Sequence, residues 1–182
     1  MNDPTSTWHA EHAYFRRLLG MLQAGVEAFH RDARPNYELM LDIISYLREY
    51  GDESHHRREE VAFARLAERR PDMKTLLARL AQEHRVIANA GEALQEKLRA
   101  AVNGSILPRV EVEVAAATYL VYYGNHIAKE EEDVLSSAAG ALTAQDWEAV
   151  RSAVPDARDP LFQGGPQERF RELRRQIALE SS

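Results

Sequence analysis

The sequence contains no cysteine. Disulfides, thiol redox chemistry and thiolate metal sites are therefore excluded, and any metal ion must be held by nitrogen and oxygen. Glycine and proline are scarce, nine and seven in 182 residues. Between them run long stretches rich in Ala, Leu, Glu and Arg, which favour helix over sheet and predict an all-α chain. No run approaches the roughly 18 apolar residues of a membrane span, and Met1–Ala10 has neither the basic nor the apolar segment of a signal peptide. A surplus of Lys and Arg is also lacking: the formal net charge is −6 and the pI near 5.7. Nucleic acid and anionic membrane surfaces, which need concentrated positive charge, are poor partners for such a chain. The expected setting is cytoplasmic.

What is present is enough apolar material, 45% of the residues, to bury one real core. Apolar residues recur in three- and four-residue steps along four segments. The first opens at Thr5 or Ser6, runs Trp8, His12, Phe15, Leu19, Leu22, Val26 and Phe29, and ends before Pro35. A second, from about Asn36 to Arg69, carries Met40, Ile44, Leu47, Gly51, His55, Glu59, Ala62 and Leu66, and is closed by Pro71. The third spans about Asp72 to Val102, with Leu77, Leu80, His84, Ile87, Gly91, Leu94 and Leu98 on its stripe. Asn103-Gly104-Ser105 and Pro108 mark its exit. The fourth runs from about Val110 to Ser137 and presents Val112, Ala115, Tyr119, Tyr122, His126, Glu130 and Val134. Short connections between long helices predict an up-down four-helix bundle over residues 1–140. Residues 141–182 form a C-terminal helical extension, with a helix from Thr143 to Val154 opened by Thr143 and Asp146. A loop follows over Pro155–Pro166, then a last helix from Gln167 whose Phe170, Leu173 and Ile177 pack on the bundle or on a neighbouring copy, which allows a homodimer.

Seven histidines are the main chemical resource, and each long helix places one of them on its apolar stripe: His12, His55, His84 and His126. A lone histidine there is most often a satisfied core residue. With about three helix positions in seven facing a core, four such placements by chance have odds of roughly 0.03. Glutamate follows at the fourth residue in His55-His56-Arg57-Arg58-Glu59 and in His126-Ile127-Ala128-Lys129-Glu130. Residues at i and i+4 share a face one turn apart, so a nitrogen and a carboxylate reach one cation or span a pair. Buried carboxylates need the counter-charge that a metal supplies. The doublets His55-His56 and Glu59-Glu60 leave a choice of register. His56 counts back to Asp52, Glu49 and Arg48, whereas His55 counts back to Gly51, Leu47 and Ile44, so His55 and Glu59 are assigned to the core. His9 and His30 are expected at the surface. The expected ligands are thus His12, His55, Glu59, His84, His126 and Glu130, too many donors for one tetrahedral ion, and two ions per chain are expected.

The ordered set Glu11-His12, His55-His56-Arg57-Arg58-Glu59-Glu60, Gln82-Glu83-His84 and His126-Ile127-Ala128-Lys129-Glu130-Glu131 resembles the hemerythrin-like family, or HHE cation-binding domain, over about residues 8 to 137. The resemblance implies a non-haem diiron centre with Glu59 and Glu130 bridging two iron ions. It also implies a small ligand such as oxygen, nitric oxide or peroxide. Manganese, zinc or cobalt suit the same donors. The oxygen carriers of that family have a second histidine one turn from the third-helix ligand, where this chain has Leu80 and Ala88. Water, Glu83, Glu131 or one of Tyr119, Tyr122 and Tyr123 is left to fill that position. The carriers also space their last carboxylate five residues after the histidine, which selects Glu131 over Glu130, so reversible oxygen carriage is not expected. The iron-sulfur repair members carry a cysteine-containing N-terminal extension that this sequence lacks. A sensor, store or scavenger is the leading reading and an enzyme the lesser. A diiron oxidase or peroxidase would draw on a tyrosine such as Tyr122, and a third reading is a structural bundle holding zinc or no metal.

Overall fold

The computed structural model describes residues 4–28, 35–153, 159–161 and 170–180, and every regular element among them is helical. His30, Phe29, most of the Pro155–Pro166 segment and the start of the last predicted helix lie outside the described residues. Helix α1 covers Pro4–Glu27. The second rod is made of α2 (Tyr37–Tyr46), a π-helical stretch (Leu47–His55) and α3 (His56–Arg69). A 3-10 turn at Pro71–Met73 leads into α4 (Lys74–Val102), and α5 follows over Arg109–Asp133. Three shorter helices complete the chain: α6 (Leu135–Ala141), α7 (Ala144–Ala153) and α8 (Arg171–Glu180). Helix α1 packs on α2 and α5, and α4 packs on α2 and α5, which closes the four rods into an up-down bundle.

Local chemistry sets the helix ends. The Asn36 side chain accepts a bond from the Leu39 amide at 3.0 Å and caps α2, a contact of about 1 kcal/mol. Gly104 leaves α4 at φ 81°, where a side chain would be strained. Pro108 precedes the first turn of α5, where its missing N–H costs nothing. Val134 takes φ −107° and divides the predicted fourth helix into α5 and α6. The Thr143–Asp146 cap forms as expected, with the Thr143 amide donating to Asp146 at 2.8 Å. Arg69 reaches the same carboxylate at 2.6 Å and ties α7 to α3. Helix α8 returns to the bundle: Phe170 and Leu173 are buried, and the Phe170 ring meets Tyr46 edge-on.

Two apolar clusters fill the bundle. One gathers Phe15, Leu47, Ile87, Leu94, Tyr119 and Ile127; the other gathers Trp8, Phe63, Leu66, Leu80, Val134 and Trp147. Along every rod the core histidine sits between a residue of one cluster and a residue of the other, as in Trp8, His12, Phe15 and in Leu80, His84, Ile87. A polar layer therefore crosses the bundle between the two clusters.

The π-helical stretch keeps His55 and Glu59 in the core, as expected, and turns His56 inward beside them. His56 was assigned outside, yet His55 and His56 are both buried. The His56 amide donates to the Gly51 carbonyl, five residues back instead of four. An α-helix turns about 100° per residue and would point only one of two consecutive side chains at the axis. The widened turn inserts an extra residue, so the pair straddles the direction of the core. Gly51 permits this, because a Cβ there would stand 2.7 Å from the Tyr123 hydroxyl.

Candidate metal centre

All six predicted donors meet in the polar layer. His12 and His55 lie together, with their Nε2 atoms 2.9 Å apart. Glu59 Oε1 faces both, at 3.3 Å from His12 Nε2 and 2.9 Å from His55 Nε2. Its other oxygen, Oε2, faces His84 Nε2 at 3.5 Å. Glu130 divides in the same way: Oε2 stands 3.4 Å from His12 Nε2, while Oε1 stands 3.7 Å from His84 Nε2 and 3.1 Å from His126 Nε2. His56 joins the second group. Its ring stacks on His84 with centroids 4.2 Å apart, and ligand atoms of His56, Glu59, His84 and His126 all lie within 4.8 Å of one another. His12, His55 and Glu59 form the other such group.

The far side of each ring is as ordered as the near side. His12 Nδ1 meets Glu131 at 2.8 Å, His55 Nδ1 meets Glu11 at 2.6 Å, His84 Nδ1 meets Glu60 at 3.3 Å and His126 Nδ1 meets Glu83 at 3.1 Å. His56 is the exception: Asp52 stands 3.3 Å from its Nδ1 without a hydrogen bond between them. A carboxylate behind Nδ1 holds the proton on that nitrogen and turns the Nε2 lone pair toward the centre, the usual arrangement behind a metal-ligating histidine. Glu11 is itself clamped, by both oxygens to Arg58 at 2.9 Å and by one to the Tyr50 hydroxyl at 2.7 Å. Burial would raise its carboxyl, but His55 and Arg58 override burial and hold it at about 2. Four of these carboxylates reach a histidine on a neighbouring rod: Glu11 from α1 to His55, Glu60 from α3 to His84, Glu83 from α4 to His126, and Glu131 from α5 back to His12. Their support roles escaped the sequence reading, although the signal was there. Each is the neighbour in sequence of a centre residue, in Glu11-His12, Glu59-Glu60, Glu83-His84 and Glu130-Glu131.

Glu59 and Glu130 are each 1% exposed. A buried carboxylate pair is costly without counter-charge. Protons supply some of it: burial pulls His55 and His84 down, but the facing carboxylates override it and raise them to about 9 and about 11. The supply is incomplete. Glu59 Oε2, both Glu130 oxygens, His84 Nε2, His126 Nε2 and both His56 nitrogens have no hydrogen-bond partner among the described residues. Burial, reinforced by the charge of His84, pushes His56 well below its ordinary range, so its imidazole is neutral and keeps a free lone pair. Unpartnered nitrogen lone pairs and carboxylate oxygens converging on one space fit bound cations.

The remaining expectations divide. Trp8 and Phe15 pack against His55, with centroids at 6.3 and 5.0 Å, and wall that side with apolar rings. Tyr122 is 46% exposed and does not line the centre; the buried ring beside His56 is that of Tyr123, at 5.4 Å. His9 lies at the surface, against Glu131. Glu83 and Glu131 stand behind histidines instead of filling a vacant ligand position. Leu80 belongs to an apolar cluster, and the nitrogen expected from the third rod is matched by His56 from the second. With His56 in this group, a missing nitrogen no longer speaks against reversible oxygen carriage.

A family model described as the hemerythrin HHE cation binding domain matches residues 3–138. The chain belongs to this family of metal-binding helical domains. No curated protein and no solved structure matches the chain. No described helix is long and apolar enough to cross a membrane.

Proposed function

We propose that this HHE-domain chain holds two metal ions, iron in the first instance, and uses the pair to bind oxygen, nitric oxide or peroxide. One observation carries the reading: Glu59 and Glu130 each turn one oxygen to the His12 group and the other to the His84–His126 group, the disposition of two bridging carboxylates. His12 and His55 would hold one ion, and His56, His84 and His126 the other. An iron pair supplies redox electrons and Lewis acidity for a small ligand. The chain's own part is to fix four of the histidines through Glu131, Glu11, Glu60 and Glu83, and to exclude bulk water with Trp8 and Phe15. The half with two histidines has fewer protein donors and is the place for an external ligand, next to those apolar rings. Metal analysis after anaerobic iron loading, followed by an optical spectrum on exposure to air, tests this. Two irons per chain with new near-ultraviolet and visible absorption are expected; saturation at one ion would overturn it, and a colourless zinc-loaded protein would favour the structural reading.

A turnover reading, as a diiron oxidase or peroxidase, rests on Tyr123, whose buried hydroxyl has no partner among the described residues and whose ring lies against His56. Peroxide consumption that falls in Tyr123→Phe while iron content holds would select it.

A further inference from the structure

Helix α5 carries a second pattern on the side away from the centre. Val110, Val114, Ala117, Val121, Gly124 and Ala128 follow one another in steps of four, three, four, three and four residues. That is the heptad spacing of a helix that packs against another helix along its length. The stripe points to solvent: Val110, Val114 and Val121 are 57%, 60% and 59% exposed. From Val114 to Ala128 the exposed positions of α5 are Val114, Ala117, Thr118, Val121, Tyr122, Asn125 and Ala128, and none is charged, in a chain with 29% charged residues. The exposed face of α4 is of the ordinary kind, with Lys74, Arg79, Arg85, Glu92, Glu96 and Arg99.

We propose that α5 is the interface between two copies of this chain, laid antiparallel across a two-fold axis that passes close to Thr118 and Tyr119. The period of the stripe calls for a helix as occupant, and the stripe is its own complement only in the antiparallel sense. About that axis Val110 meets Ala128 of the second copy, Val114 meets Gly124, and Ala117 meets Val121, so each valine falls on a small residue. A parallel pairing would set valine on valine and leave Gly124 facing Gly124. Gly124 supports this independently. A helical glycine costs about 1 kcal/mol relative to alanine, and nothing among the described residues lies within 4 Å of where its Cβ would stand, so the fold of one chain gives no reason for it. A valine of a second copy does. Val110, Val114, Val121 and Tyr122 together expose on the order of 350 Å², the size at which a patch on a monomer marks an interaction site. A second copy laid along the stripe covers these side chains together with the small residues between them.

The test is mass in solution, by light scattering on a sizing column at micromolar concentration, for the metal-loaded chain. The expected mass is twice the 20.7 kDa of one chain, falling to one chain in Val121→Glu with metal content unchanged, since Val121 lies on the opposite side of α5 from His126 and Glu130. The native sequence has no cysteine, so introduced thiols report orientation. Ala117→Cys and Val121→Cys proteins should form a disulfide-linked dimer when mixed and oxidised, and not when oxidised separately. A wild-type chain that stays at 20.7 kDa, alone or bound to lipid vesicles, overturns the proposal, as does a dimer that survives Val121→Glu or a rapid cross-link of Ala117→Cys to itself.

Discussion

The two halves of the polar layer are built from the same residue types but are unequally finished. On the side of His12 and His55 the protein supplies its own contacts: the two Nε2 atoms touch, Glu59 Oε1 reaches both, and Glu11 is locked by Arg58 and Tyr50. On the side of His56, His84 and His126 the inward atoms have no hydrogen-bond partner among the described residues. In the first half a proton on His55 stands in for a cation; in the second a proton on His84 does so only in part, because the His56 beside it is neutral and has no partner. Under the proposed two-metal reading, the second half therefore depends on its ion more than the first.

Substitutions should expose the inequality, and the largest effect belongs to a residue shared by both halves. Glu59→Ala should take metal content from two ions to nearly none and lower stability by roughly 3 kcal/mol, because it removes the one carboxylate that faces both groups and leaves His55 and His84 with only the carboxylates on their far sides and Glu130; metal analysis and thermal unfolding check it. Next comes the three-histidine half alone. His56→Ala should remove about one ion of the two, whereas Glu60→Ala, which touches only the far side of His84, should keep both with weaker binding of one. Equal metal content in wild type and His56→Ala would return the helix to its ordinary register.

A smaller effect is expected in the self-sufficient half. Glu11→Gln keeps the hydrogen-bonding shape but removes the charge behind His55, and should weaken one ion by about 10- to 100-fold while the other is unchanged. Titration with a competing chelator separates the two. The smallest readout is protons. His55 and His84, raised to about 9 and 11, carry protons at pH 7.5 that a metal must displace. Calorimetry in buffers of different ionisation heat should therefore count about two protons released. The same raised values mean that their stabilisation of the metal-free chain is fully present below the ordinary histidine range and is lost as pH rises through about 9 and then 11. A metal-free chain equally stable at pH 7 and pH 10 would contradict this.

Much of the bundle was legible in local signals. His12, His84 and His126 sit on stripes whose period alone turns them inward, and the Thr143–Asp146 cap and the stop at Asn103-Gly104 are written in adjacent residues. The misreadings share one physical cause. The inward turn of His56 depends on an extra residue in one helical turn, which depends on the Tyr123 hydroxyl standing where a Gly51 side chain would be, a contact between residues 72 apart in the chain. No periodicity within one helix records it. Tyr122 and Tyr123 were confused for a related reason: at the edge of an apolar stripe a one-residue step decides between core and solvent, and the neighbouring rods make that decision.

The carboxylates behind the histidines give the bundle a property that none of its helices has alone. Glu11, Glu60, Glu83 and Glu131 pass support from rod to rod in one direction, α1 to the second rod, then to α4, to α5 and back to α1. Such a hoop has no partial version. Deleting any one rod cuts two of its links, one that it gives and one that it receives, and leaves a histidine elsewhere free to turn. Fragments should therefore fail to build even half of the centre, and the last rod to arrive during synthesis, α5, is the one that closes it.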